Sequence, residues 1–329
     1  MARISSTLPT EGRFPSLAGA TGWLHSPPLD PASLRGKVVL VDFCTYTCIN
    51  WLRTLAYVRA WAQSYRDRGL VVIGVHTPEF PFEHDIDNVR RALASMAIDY
   101  PIALDNDYAV WEAFANHYWP ALYFIDAEGN IRHHWFGEGD YERSEAVTQQ
   151  LLRDAGSDDV GDELVAIDPV GPEVEADWDN LGSPETYLGY DRARNFASRD
   201  QMSRGQSYAY VPPDSLRLND WTLSGDWTAE AESVFSNESN GRISFRFHAR
   251  DVNLVMGPRE RDAPVPFRIM IDGDPPHAGF GSDADEDGAG LLEEQRMYQL
   301  VRQREPILDR LFEIEFLDRG AEAFAFTFG

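Results

Sequence analysis

Cysteine, lysine and long apolar runs are what this sequence has least of. Its two cysteines, Cys44 and Cys48, fall within five residues of each other in a chain of 329. So close a pair cannot staple distant segments, and a reducing compartment fits it. Lys37 is the only lysine, and 54 acidic residues against 29 basic ones leave a net charge of −25. Such a surface repels nucleic acid and anionic membranes, and reads as a solvated acidic shell, with adaptation to high salt as one expression of it. No run approaches the eighteen or so apolar residues of a membrane helix, and the start MARISSTLPTEG lacks the apolar segment of a signal peptide. The expectation is a cytoplasmic protein that is not membrane-embedded. Its length, with 43% hydrophobic residues, suffices for two domains with a core each.

What is present is most informative at residues 36–51, GKVVLVDFCTYTCINW. Val38 to Phe43 reads as a fully buried strand. The helix after it carries Leu52, Leu55, Val58, Trp61 and Tyr65 at intervals of three and four, a core-facing stripe. Leu70 to Val75 is the next buried strand, and Asp85 to Ala97, with an acidic first turn, is a helix crossing to a strand at 101–104. Strand, helix and strand in this order imply a parallel sheet. Tyr108 to Asn116 reads as a short helix, Ala121 to Asp126 and Asn130 to Phe136 as a hairpin, and Tyr141 to Arg153 as a last helix. The predicted class is α/β, a central mixed sheet flanked by helices, over residues 1–155.

Residues 156–184 are acidic, rich in Pro and Gly and without helical period, and are read as a linker. Over 185–329 short alternating runs recur, among them LRLNDWTL, GRISFRFHARDVNLVM, VPFRIMIDG, RMYQLVRQ, LFEIEFLD and AFAFTFG. Repeated strands between turn signals argue an antiparallel sandwich.

Residues 36–51 resemble the thioredoxin signature, in which a strand with an internal Asp leads through a Trp into Cys-x-x-Cys. Without gaps, Cys48 falls on the attacking cysteine, Trp51 on the resolving one, Asp42 on the buried acid and Cys44 on the tryptophan that shields the site. The extra helix before the hairpin resembles the TlpA and peroxiredoxin branch of that superfamily. TYTCINW, GVHTPEF, NVRRA, DYPIALDNDYAVW, YWPALYFID and GEGDYE, with SPETYLGY and RFHARDVNLVMGP further on, resemble the soluble part of DipZ-type proteins. There a thioredoxin-like domain precedes a carbohydrate-binding-like jelly roll, and a membrane electron-transfer domain usually comes before both. The resemblance implies a thioredoxin-like α/β domain and an all-β jelly-roll sandwich without the membrane domain, acting in thiol–disulfide chemistry.

Cys48 is expected at the N-terminal end of its helix, where unpaired amides and the helix dipole favour a thiolate; an inert core cysteine is the alternative. Trp51 cannot resolve a mixed disulfide, so resolution falls to a low-molecular-weight thiol or to Cys44. An extended Cys44–Cys48 connection overshoots the 4.4–6.8 Å that a disulfide needs between Cα atoms, which favours packing for Cys44. Asp42, alternating within an apolar run, is costly to bury as an anion and reads either as a proton-transfer group or as a cap on nearby amides. Pro120 matches the cis-proline loop of the superfamily, which makes Trp119, Pro120 and Trp51 the substrate-binding candidates. Thr45, three residues before Cys48, fits the Thr-x-x-Cys of peroxiredoxins, although Val41 stands where their proline would be. His133 and His134 point to opposite faces of a strand and cannot easily share a metal.

Further on, Asp283, Asp285, Asp287, Gly288 and Glu294 have the spacing of a twelve-residue calcium loop, without the two flanking helices. Phe245 and Phe247 share a core face, with Arg246, His248 and Arg250 opposite as a candidate surface for an anionic ligand, a merely exposed face being the alternative. Trp221, Trp227, Tyr208 and Tyr210 are candidates for stacking on a glycan, packing being the alternative. The leading expectation is a monothiol oxidoreductase that needs no cofactor and acts on a protein or low-molecular-weight disulfide. A peroxiredoxin-like peroxidase and a redox-inactive binding module are the rivals.

Overall fold

The computed structural model describes residues 8–199 and 201–329, so the polar start of the chain lies largely outside the described residues. Contacts divide it into two compact units after Glu173, within the segment read as a linker.

In chain order the first unit holds strands β1 (Gly12–Arg13), β2 (Gly22–Leu24) and β3 (Val38–Cys44), helix α1 (Ile49–Tyr65), β4 (Leu70–His76), α2 (Ile86–Ser95), β5 (Ile102–Leu104), α3 (Ala109–Ala113), the hairpin β6 (Ala121–Ile125) and β7 (Asn130–Phe136), and α4 (Tyr141–Asp154). The sheet order is β1-β7-β6-β3-β4-β5-β2. β3, β4 and β5 run parallel and the other neighbours antiparallel, which makes the sheet mixed. All seven residues of β3 are buried, as a central strand covered on both faces requires. Alternation sends Val39, Val41 and Phe43 into a cluster with Phe14, Ile73, Val75, Phe114 and Tyr123. Asp42 and Cys44 take the other face, where the Trp51 indole of α1 reaches Asp42.

α1 begins immediately after the turn that leaves β3. It ends in a 3-10 turn over Arg66–Arg68, closed by Gly69 at φ 100°, a left-handed position that glycine adopts without steric cost. The Asp85 side chain caps α2 by accepting from the amides of Asp87 and Asn88. Residues beyond α4 stay with this unit: the Val165 amide donates to Glu145, and Arg59 pairs with Glu173 at 2.7 Å.

The second unit is all-β: β8 (Thr186–Tyr187), β9 (Ser207–Tyr210), β10 (Trp221–Ala229), β11 (Val234–Ser236), β12 (Gly241–Phe247), β13 (Asp251–Pro258), β14 (Val265–Ile271), β15 (Ala289–Leu292), β16 (Arg296–Arg302), β17 (Arg310–Phe316) and β18 (Ala321–Phe328). All its strand pairs are antiparallel, along β15-β14-β17-β12-β10-β11-β18-β13-β16, with β8 on β18 and β9 on β10. β10 belongs to both layers. Trp221–Ser224 pairs with β12, whereas the residues from Gly225 onward pair with β9 and β11. Gly225 has φ 93° at the switch, and a Cβ there would lie 3.4 Å from the Gly241 Cα. The layers close on one aromatic core: the Phe245 ring lies 5.1 Å from both Phe326 and Phe328, and Phe312 lies 5.8 Å from Phe326. This is a β-sandwich. No helix among the described residues is long and apolar enough to cross a membrane.

Candidate active site

Cys48 is the N-cap of α1, with extended backbone at φ −75° and ψ 116°. Its carbonyl accepts the Leu52 amide at 2.9 Å, while its amide donates to the Thr45 carbonyl at 3.2 Å. The side chain caps nothing, is partly exposed, and sets its sulfur 3.9 Å from the Trp119 carbonyl oxygen. The first amides of a helix lack intrahelical partners and carry partial positive charge, so a sulfur at this position is favoured as the anion. The Trp119–Pro120 bond is cis. Pro120 is buried, and the half-buried Trp119 ring rests 4.4 Å from that of Trp111.

Asp42 is fully buried beneath α1. Its Oδ2 accepts the Trp51 indole N–H at 3.0 Å, and its Oδ1 has no hydrogen-bond partner. Burial pushes its pKa up to about 7, against the smaller pull of the indole. Of the two roles expected for Asp42, capping amides is not what the carboxylate does. Cys44 is also buried, with a free thiol pushed well up by burial and then by Asp42, Glu83 and Cys48. Gly74 beside it makes room for Ile102: a Cβ there would stand 2.5 Å from Ile102 and in ordinary contact, 3.7 Å, with the Cys44 sulfur.

One expected role is corrected. Trp51 is 1% exposed, with its indole nitrogen held by Asp42, and does not face a substrate. Its place on the helix explains this, because residues 51, 55 and 58 lie on one buried stripe of α1.

Sequence reasoning passed over Glu83. This carboxyl is fully buried in the 3-10 turn Pro81–His84. Its Oε1 accepts the Thr47 hydroxyl at 2.7 Å, and its Oε2 accepts the amides of Glu79 at 2.6 Å and Phe80 at 2.9 Å. Burial lifts its pKa to about 7, opposed first by Thr45 and then by the Phe80 amide, Thr47 and the Glu79 amide. Thr45 is itself fully buried, and its hydroxyl, although close enough to Glu83 to favour the anion, makes no hydrogen bond. A signal was available in Pro81 at the start of the turn and Glu83 at its third position, where a carboxylate reaches back to the cap amide. His76, at the end of β4 beside Cys44, is buried and stacked on Tyr46 at 5.6 Å; burial lowers its pKa to about 3, so the ring is neutral.

In the second unit the acidic loop does not gather into a cation site. Asp283 pairs with Arg296 at 2.7 Å and accepts the Gln299 amide, Asp285 caps the amides of Asp287 and Ala289, and Glu294 lies 3.5 Å from Arg296. Among the described residues no three His, Cys, Asp or Glu side chains converge as metal ligands. Trp221, Trp227 and Tyr210 are core residues, and Tyr208 packs on Tyr210 at 4.9 Å, so these four rings form no exposed stacking platform for a glycan. On the face opposite Phe245 and Phe247, His248 is paired with Asp309 and Arg250 with Asp251, each at 2.7 Å. In the first unit His133 is buried, whereas His134 is half-exposed and meets Glu11 at 2.7 Å.

The first unit has a thioredoxin-like fold, and its residues 25–134 match the model of the AhpC/TSA family; residues 183–329 match the family described as thioredoxin like C-terminal domain. The chain is 42% identical over 251 residues to protein DipZ of Mycobacterium tuberculosis, across 75% of this chain and 35% of that protein. It spans about a third of the length of that relative. The thiol-disulfide oxidoreductase YkuV of Bacillus subtilis is 28% identical over 139 residues, 42% of this chain and 93% of YkuV. A thioredoxin-like protein solved in solution in its oxidised form is 28% identical, with a TM-score of 0.40, over 43% of this chain and 96% of its own.

Proposed function

We propose that the first unit is a monothiol thiol–disulfide oxidoreductase acting through Cys48. The observation that carries this reading is the sulfur at the N-cap of α1, partly exposed against the carbonyl before a cis proline, while the place of a second sulfur is filled by buried Trp51. The similarity to YkuV supports the reaction class. The Cys48 thiolate attacks a disulfide R–S–S–R′, forming Cys48–S–S–R and releasing R′S⁻, which takes a proton from solvent. An external thiolate R″S⁻ then attacks the R sulfur of that bond, leaving as the disulfide R″–S–S–R and restoring the Cys48 thiolate. Trp119 and Pro120 line the approach of an extended, disulfide-bearing substrate. Asp42 faces an indole instead of a thiol, so its part is to hold α1 against β3. No cofactor enters this cycle, and the sandwich unit supplies partner contacts.

Trapping tests it. With an oxidised low-molecular-weight thiol, intact mass is expected to rise by one thiol residue, at Cys48 and not at Cys44, and free thiol should reverse the change. The AhpC/TSA match supports a second reading, a thiol peroxidase, in which stoichiometric peroxide rapidly converts Cys48 to sulfenic acid. If neither reagent modifies Cys48 in the folded protein, both enzyme readings fail and a redox-inactive binding module remains.

A further inference from the structure

The exchange chemistry proposed above leaves one buried acid beside the nucleophile without a task. Glu83 is fully buried yet lies on neither the sheet nor α1. It accepts hydrogen bonds on both oxygens: from the Thr47 hydroxyl on one, and from the Glu79 and Phe80 amides on the other. Thr47, itself buried, is joined by a peptide bond to Cys48. A carboxylate with three donors is a stiff anchor, since bonds to an ionised acceptor are roughly twice as strong as neutral ones. It also places a charge within one residue of the sulfur, in surroundings that screen it poorly.

We propose that Glu83 is a positioning residue for Cys48: by gripping Thr47 it fixes the turn that presents the sulfur, and by its charge it sets how readily that sulfur ionises. The inference rests on Cys48 being the nucleophile. A carboxyl that titrates near neutrality makes the effect pH-dependent. Below its midpoint Glu83 is neutral and leaves the thiolate unopposed. Above it the anion works against thiolate formation, so the reactivity of Cys48 should climb with pH more gradually than one ionisation allows. The other titratable groups around this turn include Cys44 and Asp42 on β3, Tyr46 and Cys48 in the loop, His76 at the end of β4, Glu79 before the turn, His84 within it and Asp85 at its end. His76 stays neutral across this range, and the thiol of Cys44 is held protonated.

The test is the rate of Cys48 alkylation from pH 5 to 10 in full-length protein carrying Cys44→Ser, compared with the same protein bearing Glu83→Gln or Thr47→Val, with circular dichroism and a thermal melt as checks on folding. Glu83→Gln is expected to give a steeper profile than the parent's, with its midpoint lower by about 0.5–1 pH unit, the effect of a removed neighbouring charge partly screened by its surroundings. Thr47→Val keeps the carboxyl and removes the grip. It should keep the broad profile but change the limiting rate at high pH by about threefold or more, in line with one lost hydrogen bond. Thr47→Val also serves if Glu83→Gln does not fold. Folded variants whose profiles superimpose on the parent's overturn the assignment of Glu83 and leave Cys48 as nucleophile. A parent protein whose Cys48 is not labelled overturns both.

Discussion

The place of a second sulfur is taken by an indole, and that one substitution changes what the acid behind it can do. Trp51 donates to Asp42 at 3.0 Å, but an indole N–H does not ionise at any pH the protein meets, so the pair is a buried hydrogen bond and not a proton relay. Burial raises Asp42 to about 7 from its ordinary 3.8. A carboxyl raised in the folded state adds stability that is full below its unfolded pKa and is lost as pH climbs through the folded one. Glu83 acts in the same sense, whereas His76, lowered to about 3, acts in the opposite one. The clean observable is therefore a difference between two proteins. Relative to the parent, Asp42→Asn should gain roughly 1.4 kcal/mol of unfolding free energy per pH unit between about pH 4.5 and 6.5. Urea unfolding at several pH values measures it, and a constant gap would mean that Asp42 is not raised. Much of this site was legible: Cys48 before a core-facing stripe, Asp42 within an apolar run, Pro120 at a strand entrance. The burial of Trp51 was legible too, since 51, 55 and 58 share a stripe, but the alignment with a resolving cysteine drew attention from it. Glu83 was obscured because its partners are backbone amides and a hydroxyl 36 residues earlier, which leave no periodic trace.

Among the elements, those with many buried residues are where the sequence placed them. The expected strands at 38–43 and 70–75 and the helix from 141 differ from β3, β4 and α4 by one residue at an end. β1, β2, β8, β9, β11 and β15 went unread, because two to four residues carry no measurable alternation. The single run at 241–256 is two strands, β12 and β13, parted by the turn at 248–250. How α4 is held was equally invisible. Glu145, 3% exposed, accepts the Trp61 indole at 2.9 Å and the Tyr65 hydroxyl at 2.6 Å, both from α1, and the Val165 amide at 2.8 Å. One carboxyl thus ties α4 to α1 and to the chain beyond α4. Glu145→Ala leaves three buried donors without an acceptor and is expected to cost about 2–4 kcal/mol, read as a lower urea midpoint at unchanged slope. A loss below about 0.5 kcal/mol would show that water replaces the carboxyl.

Across the whole molecule, two domain types and one charge sign bound what the protein can do. A net charge of −25 disfavours polyanionic partners, and the sandwich core takes up Trp221, Trp227, Phe245, Phe247, Phe326 and Phe328. The proposed chemistry rests on the partly exposed sulfur of Cys48, and its ionisation is the most direct probe of the account. The measurement is intact-mass detection of Cys48 alkylation against pH in the full chain carrying Cys44→Ser, without denaturant. The account predicts half-maximal reactivity well below the free-thiol value of about 8.5. A midpoint at or above that value, or labelling only after unfolding, would contradict it.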